Sequence, residues 1–176
     1  MASGLITDPL RLVRVAPLIT TTASLMYAWD EHWFLSGFLS HKYNAEADPD
    51  YQEHSEALLP RYFRRFFEQG VFIIAGLNCC TLTSSIANLV LSRRAPTGQS
   101  AVTTRLYAAG LGFTVLHFLF VPVIAYPIRD IMEDRSKGET RKDLKKWIDI
   151  HRVRVLIADL PGWMSFLTAV LSSVAL

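Results

Sequence analysis

Residues 70–91 read GVFIIAGLNCCTLTSSIANLVL, a run with no charged side chain. Roughly 20 mostly apolar residues cross the hydrocarbon of a bilayer as a helix. A soluble domain would break such a run into periodic stripes. Three further blocks are also long and predominantly apolar, at residues 10–39, 101–126, with Arg105 as its one charge, and 153–176. The chain is 51% hydrophobic and 19% charged, and most of the charge falls between the blocks. The sequence therefore predicts an all-α membrane protein, a four-transmembrane-helix bundle forming one domain over residues 1–176. In the first block, Arg11 and Arg14 ahead of VAPLITTTASLMYAW loosely resemble a signal peptide. Tyr27, Trp29, Trp33 and Phe34 suit an interfacial anchor better, so this block reads as a retained helix.

The net charge of +2 mixes both signs in the same loops, so no nucleic-acid footprint is visible. Cys79 and Cys80 are adjacent and supply neither a disulfide framework nor a zinc spacing. In the first loop, Ser40–Gln69, the front half is acidic. From Pro60 onward, Tyr62, Phe63, Phe66 and Phe67 alternate with Arg61, Arg64 and Arg65, as in a helix lying among lipid headgroups. The second loop, SRRAPTGQS, reads as a turn at Pro96 and Gly98. The third should hold two short helical pieces broken near Gly138. Loops one and three carry twelve Lys and Arg, against four at the N-terminus and second loop, which makes loops one and three cytoplasmic. The expected location is an integral membrane site, in the endoplasmic reticulum or another endomembrane.

Every block has one polar or small face at helical spacing. The faces are Pro17, Thr20, Ser24, Tyr27 and Glu31; Asn78, Thr81, Ser85 and Asn88; Thr103, Tyr107, Gly110, Thr114 and His117; and His151, Arg154, Ala158, Pro161, Ser165, Thr168 and Ser172. Small and hydroxyl residues at such positions serve helix packing. Ionisable groups in hydrocarbon cost several kcal/mol unless paired or wet. Asp30, Glu31, His32, Tyr126, Trp147, His151 and Arg154 should form a polar mouth near one membrane face, with His117 two to three turns deeper. Asp159 has Arg105 and Arg152 as candidate partners, and a catalytic role for it stays open.

The segment WIDIHRVR sets Trp147, His151 and Arg154 as W-x-x-x-H-x-x-R at the head of the last block. This resembles the anthrone-oxygenase-like family of small four-helix membrane proteins found in fungal polyketide gene clusters and in bacteria. The likeness extends in outline to the TRLYAAGLG helix and the leucine-proline before the basic-aromatic stretch. The family's P-x-N after the third helix reads Pro127, Ile128, Arg129 here. The E-R-x-x-x-N glutathione motif of the trimeric membrane glutathione transferases has no match.

The resemblance implies a tailoring enzyme acting on a lipophilic polyketide- or terpenoid-like intermediate, with molecular oxygen as co-substrate and no organic cofactor or metal. A base would deprotonate an acidic carbon and a donor would hold the enolate. In that scheme His151 is the base, with His117 as the deeper alternative and Glu31 as a further catalytic candidate. Arg154 and Tyr107 stabilise the enolate, Trp147 packs on the substrate, and Asn78 and Asp159 complete the binding set. The same site could run an oxygen-independent isomerisation or cyclisation. Two other classes stay open: a metal enzyme using some of His32, His41, His54, His117 and His151, and a non-catalytic membrane partner of a biosynthetic complex. The expected partners are a lipophilic small molecule and membrane lipid, with self-association undecided.

Overall fold

A computed structural model describes residues 8–40, 50–94 and 100–174. Within them the chain is helical, with no strand. The elements are α1 (Pro9–Ser36), a short 3-10 turn (Gly37–Leu39), α2 (Tyr51–Arg94), α3 (Ala101–Leu119), α4 (Val121–Met132) and α5 (Thr140–Arg154). A π-helical turn (Val155–Asp159) then leads into α6 (Leu160–Val174). The SRRAPTGQS turn at Pro96 and Gly98, the front of the first loop and His41 lie outside the described residues. Capping sets two of the helix starts. Asp8 accepts from Leu10 N–H at 3.0 Å, with Pro9 at the first helical position, and Ser100 Oγ accepts from Thr103 N–H at 3.1 Å.

Three continuous helical stretches, Tyr51–Arg93, Ala101–Met132 and Thr140–Ser173, are long and apolar enough to cross a membrane. Helix α1 has 28 residues but, with three consecutive threonines and the Asp30–Glu31 pair, falls short of their apolarity. The expected separate headgroup helix from Pro60 does not form. Those residues belong to α2, whose 44 residues run without a break. At 1.5 Å per residue α2 is roughly 66 Å long, more than twice the hydrocarbon thickness of a bilayer, so its first half would project beyond one. There it packs with α4, α5 and the end of α1 around Leu35, Leu59, Phe63, Ile124, Ile131, Leu144, Trp147 and Ile148. These elements form a cap on one end of the bundle. Arg141 ties loops one and three together there, through Nε to Phe38 O at 2.8 Å and N–H to Glu56 Oε2 at 3.1 Å.

Prolines decide where the long helices bend. Pro122 lacks the N–H that would reach Phe118 and crowds that carbonyl, so α3 stops at Leu119 and resumes as α4. The third block therefore ends at Met132 rather than Tyr126, and the fourth helix begins at Thr140 rather than residue 153. The expected break near Gly138 is present, with Gly138 at φ 81°. Pro161 crowds the Ile157 carbonyl, and the turn before it widens to π geometry, with Leu160 N–H reaching Val155 O. Pro17 frees the Val13 carbonyl, which Asn88 Nδ2 satisfies at 2.7 Å.

The polar faces of α2 and α3 are buried where the periodicity puts them: Asn78, Thr81, Ser85 and Asn88, and Thr103, Tyr107, Gly110, Thr114 and His117. The last face is displaced. From the π turn onward the inward positions are Ala158, Gly162, Phe166 and Ala169, whereas Thr168 is exposed. The expected track through Pro161, Ser165, Thr168 and Ser172 is off by one residue because a π turn contains one residue more than an α turn. Gly110 lets Phe166 pack against α3: a Cβ on Gly110 would lie 2.5 Å from that ring, while one on Gly112 would meet nothing within 4 Å. Gly110→Val is expected to cost about 1–3 kcal/mol through overpacking and to lower the melting temperature in detergent. Gly112→Ala should leave it unchanged, and equal melting of both variants would contradict this packing.

Candidate functional site

Five ionisable side chains meet where the cap joins the bundle. His117 comes from the end of α3, next to the Pro122 bend, and Glu31 from α1. His151 and Arg154 share one face of α5, and Asp159 closes the π turn. Arg154 and Asp159 are five residues apart, which on an α-helix places them about 140° apart around the axis. The wider turn brings them together, Arg154 Nε donating to Asp159 Oδ2 at 3.2 Å. His117 Nδ1 lies 2.7 Å from Asp159 Oδ1. With the arginine on its other oxygen Asp159 is a carboxylate, so Nδ1–H of His117 donates to it. No hydrogen bond occupies His117 Nε2 among the described residues.

His151 is placed differently. Its Nε2–H donates to Ala28 O at 3.1 Å, since a carbonyl can only accept, and Nδ1 accepts from Arg154 Nη2 at 3.2 Å. Glu31 Oε2 stands 3.6 Å from the same Nδ1. Both ring nitrogens are thus committed, and no lone pair remains to take a substrate proton. Trp147 stacks on His151, ring centroids 4.9 Å apart at 23°, and meets Phe63 edge-on at 5.7 Å.

A cavity of about 580 Å³ adjoins the cluster, within the usual range for small-molecule sites. Glu31, His117, Trp147 and Arg154 line its polar wall, and Val71, Ile74, Val121, Ile124, Ala125 and Ile128 line its apolar ones. His151 and Asp159 stand behind this wall, in contact with it through Arg154 and His117. Gly70 also lines the cavity, and a Cβ there would collide with the Tyr27 hydroxyl.

Of the mouth expected from sequence, Glu31, Trp147, His151 and Arg154 come together. Asp30 and Tyr126 face outward, Tyr126 under the Arg129 guanidinium at 5.7 Å. His32 Nε2 instead meets Arg152 at 3.2 Å. Asp159 pairs with neither Arg105, which is exposed, nor Arg152. Tyr107 lies ten residues before His117, about 15 Å along the helix. Its hydroxyl donates to Arg14 O at 2.8 Å, so it cannot serve an enolate at the cavity. Asn78 Nδ2 donates to Ile74 O at 3.0 Å, and Asn78 shares with Asp159 and Thr114 a separate void of about 20 Å³, room for one water. Among the described residues no three of His, Cys, Asp and Glu converge as metal ligands would. Sequence reasoning missed the role of Arg64, Gly70 and Ile74 as cavity walls. It also missed the Asp159 pairing, for which the only local signal is Pro161 two residues on.

No family model matches this chain, and no solved structure does. Among curated proteins it is similar to the epoxidase gkaX of Penicillium citrinum, 30% identical over 164 residues, 93% of this chain and 96% of that one. It is 27% identical over 170 residues to the epoxidase pydX of an Acremonium species, covering 97% and 99% of the two chains. The probable epoxidase scpX of Mollisia scopiformis is 26% identical over 164 residues, covering 93% and 97%. All three are fungal proteins whose names specify epoxide formation. The likeness to anthrone oxygenases suggested by the W-x-x-x-H-x-x-R segment is thereby supported only as far as a fungal oxidative enzyme.

The geometry separates structural from reactive groups. Tyr107→Phe removes the bond to the Arg14 carbonyl, and a loss of about 1 kcal/mol of stability is expected. Ligand affinity at the cavity should be unaffected, as read by thermal melting and by titration of a cavity ligand. A loss of affinity without a loss of stability would reverse this assignment.

Proposed function

The chain belongs to the family of these fungal epoxidases, and from that premise we propose that it is a membrane-embedded oxygenase that forms an epoxide on a lipophilic, enolisable substrate. The observation that carries this reading is the wall of one cavity. There His117, oriented by Asp159, has Nε2 without a partner among the described residues, and Arg154 lines the same wall. A carboxylate behind an imidazole fixes its tautomer and leaves the lone pair on the far nitrogen. A guanidinium fixed in a water-poor site stabilises the oxyanion that results. His117 is therefore the base in this reading, and His151 holds Arg154 in place.

The substrate class is a hydroquinone or its dienol equivalent, two acidic O–H groups at the ends of one conjugated diene, HO–C=C–C=C–OH. His117 removes the first proton, and the enolate oxygen faces Arg154. The enolate carbon bonds to molecular oxygen, giving a hydroperoxide once the proton returns to the outer oxygen. Loss of the second O–H proton lets the neighbouring enolate carbon attack the inner oxygen, closing the epoxide as the O–O bond breaks. Hydroxide leaves and takes up a proton as water, with Glu31 available to deliver it. Dioxygen accepts four electrons, all from the substrate, so no organic cofactor or metal enters this scheme. The same base and cation acting without oxygen would isomerise or cyclise the substrate instead.

In this reading α1 crosses the bilayer as a fourth span, and the substrate reaches the cavity from lipid. The cap faces the cytoplasm of an endomembrane such as the endoplasmic reticulum, a placement supported by the twelve Lys and Arg of loops one and three. The test is turnover in nanodiscs, with a panel of lipophilic hydroquinones under labelled dioxygen and after dialysis against chelator. One labelled atom is expected in the epoxide and one in water, with activity surviving the chelator. His117→Asn, whose amide can still donate to Asp159, should lower kcat by about 10²–10⁴ while the protein still folds. A product of unchanged mass formed without oxygen would replace epoxidation by isomerisation. Absence of any turnover across the panel would favour a non-catalytic membrane partner.

A further inference from the structure

Two arginines line the cavity away from its reactive wall. Arg64 reaches it from α2 and Arg129 from α4, both near the Met132 end of α4. Arg64 Nη2 donates to the Met132 carbonyl at 2.6 Å, which fixes its guanidinium at the end of α4. Arg129 lies over the Tyr126 ring. Neither has a carboxylate partner among the described residues. The carboxylate nearest to hand, Glu133 on the same lining, is taken by Arg135, whose Nε donates to it at 2.6 Å. The cavity thus carries two uncompensated cations at one end and His117 and Arg154 at the other. Arg129 and His117 are twelve residues apart on a bent helix, so the two ends are separated by at most about 18 Å. Between them the walls are aliphatic, and the exposed Val71 and Val121 (40% and 50%) flank an opening toward lipid.

We propose that Arg64 and Arg129 form an anion site at the cavity mouth that holds an acidic head group of the substrate, a carboxylate or an acidic enol, while its apolar body lies along the aliphatic walls. This assigns the substrate class as a lipophilic acid and rests on the reading of this cavity as the substrate site. Two cations from neighbouring helices suit such a group because charge-assisted hydrogen bonds are stronger than neutral ones. Anchoring one end also sets the register in which the reacting carbons meet His117. The phosphate of an anionic lipid has the same chemistry at the same depth, so the source of the anion has to be tested.

The full chain in zwitterionic nanodiscs is titrated with cis-parinaric acid and with its methyl ester at mildly alkaline pH, following energy transfer from tryptophan against empty discs. The acid is expected to bind about tenfold more tightly than the ester, the contribution of one charge-assisted pair. Arg64→Gln combined with Arg129→Gln should reduce the acid to the ester's affinity and leave the ester unchanged, the ester serving as the control for a folded cavity. Equal binding of acid and ester to the wild type, or an acid preference that survives the double substitution, would overturn the proposal. A preference present in zwitterionic discs and abolished by anionic lipid would assign the site to a lipid head group and overturn the substrate assignment. This binding is read without turnover, so a failure of the oxygenation reading would be seen in the turnover assay alone.

Discussion

Asp159 carries the structural burden of this protein. In a hydrocarbon environment a carboxylate is tolerated only if its oxygens are occupied. Here one accepts from His117 on α3 and the other from Arg154 on the preceding turn. Removing one partner of a buried pair typically costs about 3–5 kcal/mol because the other charge is left behind. The pairing therefore demands that α3 end where it does and that the turn between α5 and α6 be wide. His151 and Glu31 then assemble around Arg154, so the polar layer is organised outward from a single carboxylate.

Proline supplies the deviations this layer needs. Three of the proline-freed or crowded carbonyls fall at functional or structural junctions, and each is resolved differently. Val13 is paired by Asn88, Phe118 lies at the α3–α4 break, and Ile157 lies within the π turn. A membrane interior offers no water for such groups, so each irregularity has to be covered by protein or open onto a cavity. The α3–α4 break does the latter, setting both His117 and Val121 in the lining of one cavity.

Much of this was legible in the sequence. Spacing alone identified the buried faces of α2 and α3, and the W-x-x-x-H-x-x-R segment marked three residues that do meet. Periodicity reports the face of a helix but not the depth. Tyr107 and His117 share one face, yet the first fastens α1 by a backbone carbonyl and the second faces the cavity. Hydropathy locates the part of a helix that suits lipid and is silent on its continuation. For that reason α2 was expected to begin near Gly70, although packing around Phe63 and Leu59 carries the helix back to Tyr51. The pairing of Arg154 with Asp159 was hidden because a regular helix keeps positions five apart on different sides.

The buried positions Arg154, Ala158, Gly162 and Phe166 recur every four residues, where an α-helix repeats every 3.6. Over three turns the difference amounts to about one residue, which the π turn absorbs. The turn therefore works as a phase joint between cap and bundle. The face that α5 presents to the cap is not geometrically bound to the face that α6 presents to the bundle. Cap surfaces can drift in sequence while the bundle half keeps its register, and the joint between them is where the ionisable side chains meet.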